Sequence, residues 1–181
     1  MILSEKIINT NEFGGTVDII TGIEDFESEV IFDEFWHCYK KGDKILPSVT
    51  RLLDNGEYID VDPEILEYAC EKGKIVHKEI EDYLKHGKFG FTKEFYDFLD
   101  IYIEEEEKFS NKAIFDIKTY SQVTPSKREK CYKQCKMYSE GVKHLTGIEI
   151  NQFYMIWLSN KGKGKLIDLT KEFGGEYGET N

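Results

Sequence analysis

Between residues 113 and 158 the apolar periodicity changes twice, and no other feature constrains the fold as much. Residues 113–120 form an apolar run of strand length. Residues 126–145 carry helical spacing, announced by Thr124-Pro125, and residues 150–158 alternate apolar with polar. Strand, helix and strand in that order imply a mixed α/β architecture, with helices packed on a small central sheet. The flanking chain fits the same picture. Asp62 is a suitable N-cap and Pro63 suits a first helical turn. Ile65, Leu66, Tyr68, Ala69, Ile75, Val76, Ile80 and Leu84 follow at helical spacing, with Gly73 expected to break or bend the helix. Residues 92–109 read as another helix. Residues 2–8 and 16–21 read as strands around a polar turn holding Gly14-Gly15, and residues 31–39 as a further strand before the turn Lys41-Gly42-Asp43. Pro47-Ser48-Val49-Thr50 begins a short helix. Residues 165–169 are a last strand and residues 170–181 an expected flexible tail. A chain of 181 residues without a solenoid repeat is expected to form a single domain, residues 1–181.

The overall charge of −11 argues against a passive nucleic-acid coat, but its distribution is uneven. Residues 111–165 hold eleven Lys/Arg against four Asp/Glu, a balance of +7, so the remainder carries −18. A basic stretch of this kind suits a phosphodiester substrate; exposed lysines decorating a helix are the plainer alternative. The acidic run at residues 104–107 reads as a solvated helix face. No apolar run approaches the ~20 residues of a membrane helix, and no signal peptide is visible, so a cytoplasmic protein with no membrane partner is expected. Cys38, Cys70, Cys131 and Cys135 do not form a disulfide framework or a paired zinc pattern. Cys131 and Cys135, one helical turn apart, can jointly touch a metal, although small buried thiols are the commoner outcome.

The strongest chemical signal lies in Ile114-Phe115-Asp116-Ile117-Lys118-Thr119. Residues two apart on a strand share a face, so Asp116 and Lys118 project together while Phe115 and Ile117 face the other way. A carboxylate can bind Mg²⁺, and an ammonium beside it can orient water and offset developing charge. Alone, the pair is an ordinary ion pair on a strand. Other residues strengthen it. Gly14-Gly15-Thr16-Val17-Asp18 places a second carboxylate on a strand after a glycine turn, with Glu5 on the strand before it, where the two can meet across a hairpin. His77 follows Gly73 on a helix, with Glu81 four residues on to hold its imidazole. Gln134 and Tyr138 share one face of the next helix, among Lys127, Arg128, Lys130, Lys133 and Lys136, where phosphates can be held.

Together, G-x-x-x-H at Gly73–His77, the strand Glu5, G-x-x-D ending at Asp18, D-x-K at Asp116 and Lys118, and Q-x-x-x-Y at Gln134 and Tyr138 resemble the RecB-like branch of the PD-(D/E)xK nuclease superfamily. That branch includes the mitochondrial genome maintenance exonuclease and phage and CRISPR-associated exonucleases. Leu46-Pro47-Ser48-Val49-Thr50 also looks like a segment preceding the His helix in the mitochondrial type. The resemblance implies a restriction-endonuclease-like core and a Mg²⁺-dependent DNA exonuclease, with Mn²⁺ as a substitute. His77, Asp18, Asp116 and the carbonyl of Ile117 would hold metal and Lys118 would be the catalytic lysine. Glu5 would be a ligand or a DNA-end contact. Gln134 and Tyr138, with Arg128, Lys130 and Lys133, would position DNA carrying free ends or single strands. A bacterial or phage-infected cell is the implied setting. Some members carry an iron–sulfur cluster, which the cysteine spacing here does not support. A catalytically inactive nuclease fold that binds nucleic acid or a protein is the alternative reading.

The motif order departs from the family. There the Glu and G-x-x-D strands lie between the His helix and the D-x-K strand; here they come first. Placing residues 2–30 after Ala113 restores the family order, so a permuted strand order is expected. The displaced hairpin would then dock beside the strand at residues 113–120, from the same chain or by exchange with a second copy.

Overall fold

In the computed structural model, residues 7–10, 16–19, 30–33, 38–53 and 62–175 are described. The chain runs β1 (Ile7–Thr10), β2 (Thr16–Ile19), β3 (Val30–Asp33), β4 (Cys38–Lys41), β5 (Lys44–Pro47), α1 (Val49–Leu52), α2 (Pro63–His86) and α3 (Lys93–Glu104). Then follow α4 (Glu106–Phe109), β6 (Ile114–Lys118), α5 (Pro125–Thr146), β7 (Phe153–Trp157), β8 (Lys165–Asp168) and α6 (Leu169–Phe173). The architecture is mixed α/β, with small sheets and helices. No helix among the described residues is long and apolar enough to cross a membrane.

The three-stranded sheet β6–β7–β8 organises the region that matters for function. β6 and β7 are parallel, Asp116 opposite Met155 and Lys118 opposite Trp157, and β8 returns antiparallel to β7. Parallel neighbours require a long crossover, and α5 supplies it. The helix is capped at both ends by its own sequence. The Thr124 side chain accepts the Lys127 N–H, Pro125 fills the first turn, and Gly147 ends the helix in the left-handed conformation at φ 72°. α2 is delimited in the same way, by Asp62 and by Gly87 at φ 66°.

Side chains on the two faces of this sheet enter two cores. On one face, Val76 and Ile80 of α2 and Phe95, Phe98 and Ile101 of α3 pack with Ile156 and Leu158, with Phe115 and Ile117 beside them. On the other, Cys131, Cys135 and Val142 of α5 and Leu169 of α6 pack with Phe153 and Met155. The alternation along β6 therefore turns Phe115 and Ile117 to the α2–α3 side and Asp116 and Lys118 to the α5 side.

Several expectations are corrected. Gly73 does not break α2, which is continuous through it; a Cβ there would meet the Thr119 hydroxyl at 3.2 Å, so glycine lets the helix lie close to the end of β6. The helix at residues 92–109 divides at Glu105 into α3 and α4, which turns Phe109 inward to stack on Phe115, ring centroids 4.1 Å apart. The strand expected at residues 31–39 is split between β3 and β4, and β4 pairs with β5 across the Gly42 turn. The expected tail begins with α6, held because Thr170 accepts the Phe153 N–H at 2.7 Å while Leu169 is fully buried.

The permuted arrangement is not formed among the described strands. β1 and β2 pair with each other in a sheet of their own, with Asp18 opposite Ile8, and among the described strands β6 has β7 as its one neighbour. A short local connection lets β1 and β2 pair with each other first, leaving the outer edge of each without a described partner strand. Glu5 lies outside the described residues.

Candidate functional site

Asp116 and Lys118 sit side by side, as their spacing requires, with Lys118 Nζ 3.0 Å from Asp116 Oδ2. Both side chains are largely buried. Lys118 also donates to Gln134 Oε1 at 3.0 Å, and Gln134 Nε2 donates to the Tyr138 hydroxyl at 2.8 Å. The one-turn spacing of Gln134 and Tyr138 on α5 makes this line possible, and the parallel crossover lays it over β6. Gln134 is itself buried, so its two bonds fix which end of the amide faces the lysine. Burial opposes the charge on Lys118, yet Asp116, with Tyr120 and Cys131 acting in the same direction, raises the lysine pKa above 10.5. Lys118 is therefore an ammonium at neutral pH. Burial likewise raises the Tyr138 phenol above 10, against the hydrogen bond from Gln134.

His77 approaches from the opposite helix. Lys118 turns its carbonyl toward β7, where it accepts the Leu158 N–H at 2.9 Å. Carbonyls alternate along a strand, so that of Ile117 points to the outer edge. There it faces the imidazole of His77, whose ring N–H can donate to it. The side chain keeps contact with solvent, but the protein around the ring lowers its pKa below 6.5. Lys118 acts in the same direction, while Asp116 opposes it. His77 is thus neutral at pH 7, the form that can bind a metal.

The structure brings His77, Asp116, Ile117, Lys118, Gln134 and Tyr138 together. Other expected partners fall elsewhere. Glu81 is taken by Lys85 at 2.9 Å and Lys78 at 3.6 Å, so the backbone of Ile117, not Glu81, partners His77. Arg128 is tied to Glu172 of α6 at 2.9 Å and Lys133 to Glu129 at 2.7 Å. Lys130, four residues before Gln134, is the expected basic residue that shares the Gln134–Tyr138 edge. Lys127, seven before Gln134, lies on that edge too, its ammonium 4.5 Å from the centre of the Tyr120 ring.

Reasoning from motifs missed other neighbours. The Cys131 thiol lies 3.2 Å from Asp116 Oδ2 and donates to it, with Cys135 one turn further along the buried face of α5. Its contact with Cys135, then burial and then Asp116 push the Cys131 pKa far up, so it is a thiol. Tyr39 of β4 comes within electrostatic range of Tyr138. The spacing Cys-x-x-x-Cys was the visible signal for the first; no local pattern marks Tyr39.

Comparison with known proteins finds no matching family model, and no similar curated protein or solved structure. The functional reading therefore rests on the site.

Proposed function

We propose that this chain is a divalent-metal-dependent DNA nuclease of the PD-(D/E)xK kind, built on a restriction-endonuclease-like core. The observation that carries this reading is the line Asp116–Lys118–Gln134–Tyr138, with His77 held at the Ile117 carbonyl on the adjoining edge. A carboxylate and a backbone carbonyl are oxygen donors that suit Mg²⁺ or Mn²⁺, a neutral imidazole can join them on the softer Mn²⁺, and the ammonium beside Asp116 fits a pocket that favours positive charge. Asp116, the Ile117 carbonyl and His77 would hold the cation, and Asp18 would join them if the β1–β2 hairpin came to β6.

The cation would bind the scissile phosphate and lower the pKa of a water. The residues supply the rest. Lys118 orients the attacking water and balances charge that develops on phosphorus oxygens. Gln134 fixes the lysine head, and Tyr138 fixes Gln134. Lys130 and Lys127, on the same edge of α5, attract the phosphate backbone without reading sequence. Action from DNA ends follows the motif resemblance alone.

The test is degradation of labelled linear and circular DNA in Mg²⁺, Mn²⁺ or EDTA by the wild type, Asp116→Ala and Lys118→Ala. Metal-dependent loss of linear DNA, abolished in both variants, supports an exonuclease at this site. That neither β1 nor β2 pairs with β6 favours a second reading, a non-catalytic nuclease fold that binds nucleic acid or a partner protein. Wild type that binds DNA but cuts none of it with either metal would establish that alternative.

A further inference from the structure

Asp116 faces two chemistries at once. Toward β6 it meets the Lys118 ammonium, and toward α5 it meets two thiols. The ligand atoms of Asp116, Cys131 and Cys135 all lie within 4.8 Å of one another, both cysteines buried at 1% and 0% exposure. The proposed nuclease chemistry uses neither thiol. Two sulfurs sharing a tetrahedral cation at Zn–S ≈ 2.3 Å are about 3.8 Å apart, so the cluster needs to contract by no more than about 1 Å. Cysteines one turn apart on a helix project from the same face, and α5 is capped at both ends, so the pair is held without a loop having to order.

We propose that Asp116, Cys131 and Cys135 form a site for a soft divalent cation of the Zn²⁺ class, which takes Asp116 away from the hard cation of the neighbouring site. Thiolates select Zn²⁺ over Mg²⁺, and a carboxylate serves either ion. Three protein donors and a water complete a tetrahedral shell. Both thiols release their protons to solvent as the cation enters. If the nuclease reading holds, Zn²⁺ and Mg²⁺ compete through this one carboxylate, and Zn²⁺ inhibits cutting. The site itself stands without that reading.

The experiment is anaerobic titration of the reduced full-length protein with Co²⁺, following the near-ultraviolet thiolate-to-cobalt charge-transfer band. One equivalent of Co²⁺ is expected to develop the band and Zn²⁺ to remove it. Cys131→Ser and Cys135→Ser should each abolish it with unchanged far-ultraviolet circular dichroism, and Asp116→Asn should weaken Co²⁺ binding at least about tenfold. The double variant Cys38→Ser/Cys70→Ser should keep the band. Cys135→Ala replaces the serine variant if a buried hydroxyl unfolds the chain. A folded wild type with no band overturns the proposal, as does a band that survives loss of Cys131 or Cys135. Because the readout is spectral, a failed DNA assay leaves it intact, and a failed titration leaves the nuclease reading intact.

Discussion

Removing either member of the Asp116–Lys118 pair should destabilise the protein even without metal, and unequally. At 3.0 Å and an effective dielectric constant of about 20, the gross attraction is about 5.5 kcal/mol. The side chains are 12% and 18% exposed, so solvent screens the pair little. Breaking a buried pair by deleting one partner costs about 3–5 kcal/mol. Lys118→Met leaves a buried carboxylate with the Cys131 thiol as its described partner, and should cost about 4 kcal/mol. Asp116→Asn keeps the shape, and its lysine retains Gln134 Oε1 at 3.0 Å, so about 2 kcal/mol is expected. The double variant removes both charges together and should cost about 3 kcal/mol, a coupling of about 3 kcal/mol. The assay is urea unfolding in EDTA at pH 7, followed by circular dichroism and tryptophan fluorescence. The reasoning fails if either single variant lies within about 0.5 kcal/mol of wild type, or if the two effects add.

Three further outcomes are expected. The Lys118 pKa is raised in the folded state, so its stabilisation is complete below pH 10.5 and drains away as pH rises through the folded-state value; Lys118→Met should flatten the alkaline limb of a stability–pH curve. The His77 pKa is lowered, so the unfolded chain takes up the proton first and stability falls as pH drops below 6.5; His77→Gln should shrink that acidic loss in the same measurement. At Gly73, alanine should lie within about 1 kcal/mol of wild type, helix propensity offsetting a contact that the Thr119 hydroxyl can rotate away from. Leucine should cost about 2 kcal/mol by prising α2 from β6, and equal urea midpoints for the two variants would count against that close approach.

Much of the α5 region was legible because its signals are local. Thr124-Pro125 announces a helix, read at residues 126–145, whose ends agree with the structure within a residue or two, and the period-two rule alone puts Asp116 beside Lys118. Gln134 and Tyr138 follow from one-turn spacing. The misses are all matters of tertiary packing. β5 is exposed along its length and shows no buried alternation to announce it. Glu81 looked like the partner of His77 because it lies one turn away, but two lysines on its own helix hold it more cheaply than a ring on the sheet edge. That Arg128 is drawn away from the site depended on Glu172 of α6, a residue assigned from sequence to a flexible tail.

What it would take to bring β2 beside β6 can be expressed as chain entropy. From Asp18 to Asp116 the backbone runs about 98 residues, against 15 in the family order restored by moving residues 2–30. Closing the longer loop costs only about 1.7 kcal/mol more, because the penalty grows with the logarithm of length. That is close to what one or two charge-assisted hydrogen bonds can return. Chain length alone therefore does not bar the outer edge of the β1–β2 hairpin from the edge of β6 that has no neighbour among the described strands.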